Sequence, residues 1–243
     1  VTAPSQEAGG EAAPVVELSH VSVRLGETLA LDDVSVRLDA RRIAVIGSNG
    51  SGKSTFARLV GGLTRATSGS VAVHGIDPVR QTAELRRAVG FVFSNPDAQI
   101  VMPTVAEDAA FSLRGSGRSK AEIAALVDEA LAEFGLSELA DRPAHELSGG
   151  QKQLLALCGA FIRRPGLLIA DEPTAYLDAR NSRAVARHLL NTDARHQLLL
   201  VTHDLELAAR CDAAVLFDDG RVAAQGEPAV VIAAYLDSLE SIL

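Results

Sequence analysis

The chain has 243 residues, is 47% hydrophobic and carries 23 Lys and Arg against 31 Asp and Glu, a formal net charge of -8. That length is ample for a sizeable core in one or two domains, and the acidic balance counts against a general nucleic-acid binder, which needs a basic face. No apolar run reaches the ~18 residues of a membrane helix, and Cys158 and Cys211 form neither a CxxC pair nor a cluster with histidine, so both are read as reduced packing residues.

Residues 1–14 combine Ala, Gly, Pro, Glu and Ser without periodicity. A disordered tail is expected there, with no basic-then-apolar order of a secretory signal. From Val15 to Leu38, Val21, Val23 and Leu25, then Val34, Val36 and Leu38, alternate with polar residues around Gly26-Glu27. This is the pattern of antiparallel strands with one wet face. Ile43 to Ile46 is a continuous apolar run, as in a strand buried on both faces. A glycine-rich loop follows, then Phe56, Leu59, Val60 and Leu63 at helical spacing, the first strand–helix unit of an α/β domain.

Val71 to Ile76 predicts another strand, with Gly75 in a turn. Beyond Pro96 the character changes. Ile123, Leu126, Val127, Ala130, Leu131 and Phe134 mark one helical face behind the flexible Gly115-Ser116-Gly117. A second helix is expected from Gln151 to Arg163, ended by Pro165. Together they predict a helical insertion over about residues 96–163 of an α/β domain spanning 15–243. Short buried-strand runs return at Leu167 to Ala170, Leu198 to Thr202 and Ala214 to Phe217, the last entering an Asp219-Gly220 hairpin signal. A helix-like stretch, Val230 to Leu243, closes the chain.

Gly47-Ser48-Asn49-Gly50-Ser51-Gly52-Lys53-Ser54, followed by Thr55, fits the phosphate-loop pattern G-x-x-x-x-G-K-[ST]. Glycines let the backbone wrap phosphate oxygens with inward N–H groups, and the next helix presents its N-terminus to negative charge. In this pattern Lys53 reaches the β- and γ-phosphates and Ser54 ligates Mg²⁺. The motif points to nucleotide binding without choosing among GTPases, kinases, helicases and transport ATPases.

A second motif makes the choice. Leu147-Ser148-Gly149-Gly150-Gln151 lies just before a helix and would by itself be an ordinary cap. It is followed by Leu167-Leu168-Ile169-Ala170-Asp171-Glu172, a buried strand ending in two carboxylates. Acids at the end of a parallel strand face the crevice where open α/β sheets bind ligands. There Asp171 can hold Mg²⁺ through water, and Glu172 can orient or deprotonate an attacking water.

In this order the motifs resemble the ATP-binding-cassette ATPase family over nearly the whole chain, about Val15 to Leu236. The resemblance implies a P-loop cassette with a RecA-like core, an antiparallel β subdomain and an inserted helical signature subdomain. It also implies that Ala175-Tyr176-Leu177-Asp178 is the D-loop and that His203, within Val201-Thr202-His203-Asp204, is the switch histidine at the γ-phosphate. ATP with Mg²⁺ is the implied cofactor set. Two cassettes face head to tail in this family, so Ser148, Gly149, Gly150 and Gln151 act on the nucleotide of a second ATPase subunit, either another copy or a paralogue.

Two positions depart from the family's pattern. Leu25 stands where an aromatic ring usually stacks on adenine, and Ser94 stands where a glutamine usually reaches Mg²⁺ and water. Gln99 lies nearby, but the Phe-x-Asn-Pro frame argues against its filling that slot. Ser94 is therefore expected near the metal with a shorter reach.

Val89 to Gln99 and Pro103 to Phe111 are similar to the energy-coupling-factor transporter ATPases, which power uptake of vitamins and of nickel or cobalt ions. The Val101-Met102-Pro103-Thr104-Val105 stretch is most like the biotin-uptake type. The resemblance implies an integral membrane transporter component and a small membrane-embedded substrate-binding subunit as partners. It places the chain at the cytoplasmic face of the cell membrane. A soluble cassette working on DNA or ribosomes is disfavoured, because neither long coiled coils nor tandem cassettes are in the sequence. A non-hydrolysing nucleotide switch is disfavoured by the presence of Lys53, Asp171, Glu172 and His203.

Overall fold

A computed structural model describes residues 16–191 and 196–240. The expected tail, residues 1–14, lies outside the described residues, as does the end of the last helical stretch.

Two sheets divide the strands. The first is antiparallel, ordered β2-β1-β4, from β1 (Val16–Leu25), β2 (Thr28–Leu38) and β4 (Ser68–Val73). Val16 and Leu18, then Val21 and Val23, point inward, and the three-residue step between the two pairs is taken up by a β-bulge in which His20 adopts φ +51°. The second sheet is ordered β5-β6-β7-β3-β8-β9. It is built from β3 (Arg42–Ile46), β5 (Val89–Val92), β6 (Leu167–Asp171), β7 (Gln197–Val201), β8 (Ala213–Asp218) and β9 (Arg221–Gly226). It is parallel throughout except for β9, which returns antiparallel through Asp219-Gly220. Both turn residues have positive φ, 43° and 76°, the conformation of a tight hairpin.

The continuous apolar runs are explained by two cores, one on each face of this sheet. Ile43, Val45, Leu167, Ile169, Leu199, Val201 and Phe217 join the β1–β2–β4 sheet and α1 (Lys53–Val60). Ala44, Ile46, Leu168, Ala170, Leu198, Leu200 and Leu216 join the helical side. That side holds α3 (Val105–Phe111), α4 (Lys120–Glu133), α5 (Gly149–Phe161), α6 (Ala179–Leu189), α7 (Leu205–Ala208) and α8 (Pro228–Glu240). A short α2 (Thr82–Ala88) leads into β5. Cys158 and Cys211 are buried free thiols, as expected, and burial pushes both up to about 12.

Several boundaries differ from the sequence expectation. Leu63 was expected on the α1 face, but α1 ends at Val60 and Leu63 is exposed. Gly62 adopts φ +68°, and the Leu63 N–H turns back to the Arg58 carbonyl at 2.8 Å, a left-handed cap that stops the helix. Helix α5 begins at Gly149 and not Gln151, because Ser148 caps it. Helices α2 and α6 had no sequence expectation. Of α6 only Val185, Ala186 and Leu189 are buried, too sparse an apolar face to read as a stripe.

Candidate nucleotide site

The phosphate loop joins the C-terminal end of β3 to α1, in the central part of the parallel sheet. Its shape depends on two glycines in particular. Gly47 has φ +141°, and a Cβ there would overlap the Phe217 carbonyl on β8. Gly52 has φ +102°, and its Cβ would sit 2.7 Å from the Ala30 carbonyl. The loop is braced from behind by the β8–β9 turn. The Gly220 N–H donates to the Ser51 carbonyl at 3.0 Å, and the Asp32 N–H donates to the Gly220 carbonyl at 2.9 Å. The sequence marked Gly220 only as a turn, so this support was missed. Ser48, Asn49 and Gly50 are exposed at the loop crest, while Ser51, Lys53 and Thr55 are buried. The Ser51 hydroxyl has no hydrogen-bond partner among the described residues.

Lys53 bends over the loop and donates to the Gly47 and Ser48 carbonyls, both at 2.7 Å. Burial lowers the pKa of its ammonium, and the nearby Glu172 and Asp171 oppose that shift. The Ser54 hydroxyl donates to Asp171 Oδ1 at 2.9 Å, bridging residues far apart in the chain. Asp171 is 4% exposed. Burial raises its pKa, against the Ser54 hydrogen bond and the charges of Arg58 and Lys53.

The parallel register sets Asp171 beside Val201. The residues that follow β6 and β7 therefore emerge together at the sheet's C-terminal edge. Glu172 adopts φ +50° and donates its N–H to the Val201 carbonyl at 2.9 Å. One carboxylate oxygen, Oε2, accepts from the His203 N–H at 3.3 Å and lies 2.7 Å from His203 Nδ1.

The signature stands apart. Ser148 Oγ accepts from the Gln151 N–H, and Gln151 Oε1 accepts from the Ser148 N–H at 2.9 Å, a reciprocal capping box. Among the described residues, no hydrogen bond joins Ser148, Gly149, Gly150 or Gln151 to the phosphate loop. A Cβ on Gly150 would overlap the side chain of Asn181 in α6. Asp178 caps that helix, accepting from the Asn181 N–H at 2.8 Å. Before it, Tyr176 has φ +66° and is 98% exposed.

Ser94 lies in the loop after β5 and is half-buried. Gln99 is engaged away from the phosphate loop: it accepts from the Phe93 N–H and donates to the Ala156 carbonyl. Leu25 is 47% exposed at the β1–β2 tip. A cavity of about 780 Å³ lies elsewhere, against α6 and α7, and is lined by none of the phosphate-loop or β6-end groups.

The sequence model of the ABC transporter family matches residues 31–175. The chain belongs to this family. It is an ATP-binding, ATP-hydrolysing cassette of the ABC transporter type. Biotin transport ATP-binding protein BioM of Rhizobium etli is 44% identical over 223 residues, covering 90% of this chain and 97% of that protein. Energy-coupling factor transporter ATP-binding protein EcfA1 of Symbiobacterium thermophilum is 45% identical over 214 residues, covering 84% and 73%. Among solved structures, cbiO1 of Clostridium perfringens, part of the ABC transporter complex cbiONQ, matches with a TM-score of 0.81 at 30% identity, covering 93% of each chain. No helix among the described residues is long and apolar enough to cross a membrane.

Proposed function

We propose that this cassette powers an importer of the energy-coupling-factor type, taking up a vitamin, biotin in the first place, or a metal ion. The observation that carries its ATP-hydrolysing part is the convergence of two pairs at one sheet edge, Ser54 with Asp171 and Glu172 with His203, while the importer type is supported by the similarity to BioM and EcfA1. The Ser54 hydroxyl and the Asp171 carboxylate are hard oxygen donors that would hold Mg²⁺, Asp171 through water, with the Ser94 hydroxyl as a third candidate donor. The ion would neutralise charge on the phosphates.

In this reading Gly47 to Thr55 cradle the ATP phosphates and Lys53 stabilises the charge developing on them. The Glu172 carboxylate takes a proton from the water that attacks the γ-phosphorus as the bond to the β–γ bridging oxygen breaks. His203 orients that carboxylate and contacts the γ-phosphate. Ser148, Gly149, Gly150 and Gln151 serve the nucleotide of a second cassette, a copy or a paralogue, facing head to tail. ATP then holds the pair closed and hydrolysis releases it, driving a membrane partner between two states. That partner is an integral transporter component at the cytoplasmic face, joined by a small membrane-embedded binding subunit.

The name and 44% identity of the Rhizobium etli protein support biotin. The test is purification from detergent with the membrane partners attached, followed by identification of the bound solute. Ribosomes or DNA in place of membrane proteins would overturn the transporter reading. Ser94→Gln should raise ATP turnover by extending the side chain toward metal and water. Unchanged turnover and unchanged transport would remove Ser94 from this role.

A further inference from the structure

The strand β5 ends at Val92, so the peptide groups of Phe93 have no ladder partner. Two glutamines take them instead. Gln153 on α5 is 1% exposed, and its Nε2 donates to the Phe93 carbonyl at 3.3 Å. Gln99 accepts from the Phe93 N–H at 3.3 Å through Oε1 and donates through Nε2 to the Ala156 carbonyl of α5 at 3.1 Å. A carboxamide is suited to this because it offers an acceptor and donors on one planar group. The far side of the loop is tied as well: Lys152 Nζ lies 2.7 Å from Asp97 Oδ1. Residues 152, 153 and 156 of α5 thus hold the loop on both sides of Ser94, and the same helix begins at the Ser148 cap.

We propose that Gln99, Gln153 and the Lys152–Asp97 pair are positioning residues that make α5 and the Ser94 loop one mechanical piece. Movement of the signature end of α5 then reaches residue 94 through the backbone of Phe93, and a long side chain at 94 is not required to sense it. The consequence for the metal rests on the reading above in which Ser94 faces Mg²⁺. The link itself rests on the hydrogen bonds alone.

Two measurements on the full chain separate these. Hydrogen exchange reports the link, and the gain in ATP affinity on replacing EDTA by Mg²⁺ reports the metal contact. The double variant Gln99→Met with Gln153→Met removes three hydrogen bonds, and exchange over residues 93–98 should quicken at least about tenfold, the weight of one of them. The Mg²⁺-dependent gain should shrink about fivefold, with affinity in EDTA unchanged. Ser94→Ala should shrink the same gain and leave exchange as it was. Unchanged exchange in the double variant overturns the proposal, and so does quickened exchange with an intact Mg²⁺ gain when Ser94→Ala has lost it. An intact gain in Ser94→Ala overturns the metal reading instead, and exchange then decides the link by itself. Should the double variant fail to fold, Lys152→Asp and Asp97→Lys provide the second route. Each alone should quicken exchange and the pair should restore it; failure to restore overturns the proposal.

Discussion

The phosphate loop and the signature cap are both glycine-rich leads into helices, yet they are built in opposite ways. The loop is held from outside itself: Phe217 and Ala30 crowd its glycines, Gly220 braces it, and Asp171 receives Ser54. The cap satisfies its own hydrogen bonds, Ser148 and Gln151 pairing within one turn, and only Asn181 of α6 crowds its glycines from outside, at Gly150. A loop that depends on four distant elements is preorganised to bind a ligand within the chain. A cap that needs nothing from the phosphate loop leaves Gly149 unobstructed, as the proposed contact with a second cassette's nucleotide requires.

Substitutions put that contrast to the test. The largest effect is expected from Gly47→Ala, where a Cβ meets the Phe217 carbonyl in a backbone region that disfavours side chains. A loss of about 3 kcal/mol in stability is expected from overpacking and strain, read by denaturant unfolding, with ATP binding by the single chain abolished. Wild-type binding in that variant would mean the loop is not held by β8. Next, Glu172→Gln should lower turnover by about 10²- to 10⁴-fold while ATP still binds, so that an ATP-bound pair accumulates in size-exclusion chromatography. Normal steady-state turnover would remove Glu172 from the base role.

Ser148→Ala should lower stability by about 1 kcal/mol through loss of the cap. Single-chain ATP affinity should stay unchanged while ATP-dependent pairing weakens, and a fall in single-chain affinity would erase the distinction between the two regions. The smallest effect is expected at Leu25→Tyr. Ring stacking is worth about 0.5–1.5 kcal/mol, so ATP should bind a few-fold more tightly in a direct titration. No change would show that the β1–β2 tip does not meet the base.

Much of this was legible in the chain itself. The apolar run of β3, the eight-residue phosphate loop and the Asp171-Glu172 strand end are local patterns that formed where their spacing indicated, whereas the alternation of β1 is broken by a bulge after Leu18 and leaves Leu25 exposed at the tip. The failures are equally physical. Leu63 has the right period for α1 but follows a left-handed glycine, and backbone conformation overrode the apolar spacing. Helix α6 shows few apolar residues because only a narrow edge of it is covered.

Local patterns along the chain supply the inventory: a nucleotide loop, a capped signature helix, two carboxylates at a strand end, and a chain whose family follows from their order. Which of these meet depends on the packing of the sheet. Ser54 and Asp171 are 117 residues apart and Glu172 and His203 are 31 apart. Their contacts arise because β3, β6 and β7 are neighbours in a parallel sheet and end at the same edge. Gln99 and Gln153 look like ordinary polar residues in sequence, and only the end of the β5 ladder beside α5 gives them a task. Periodicity encodes which face of an element is buried; it carries no information about which distant backbone will be left without a partner.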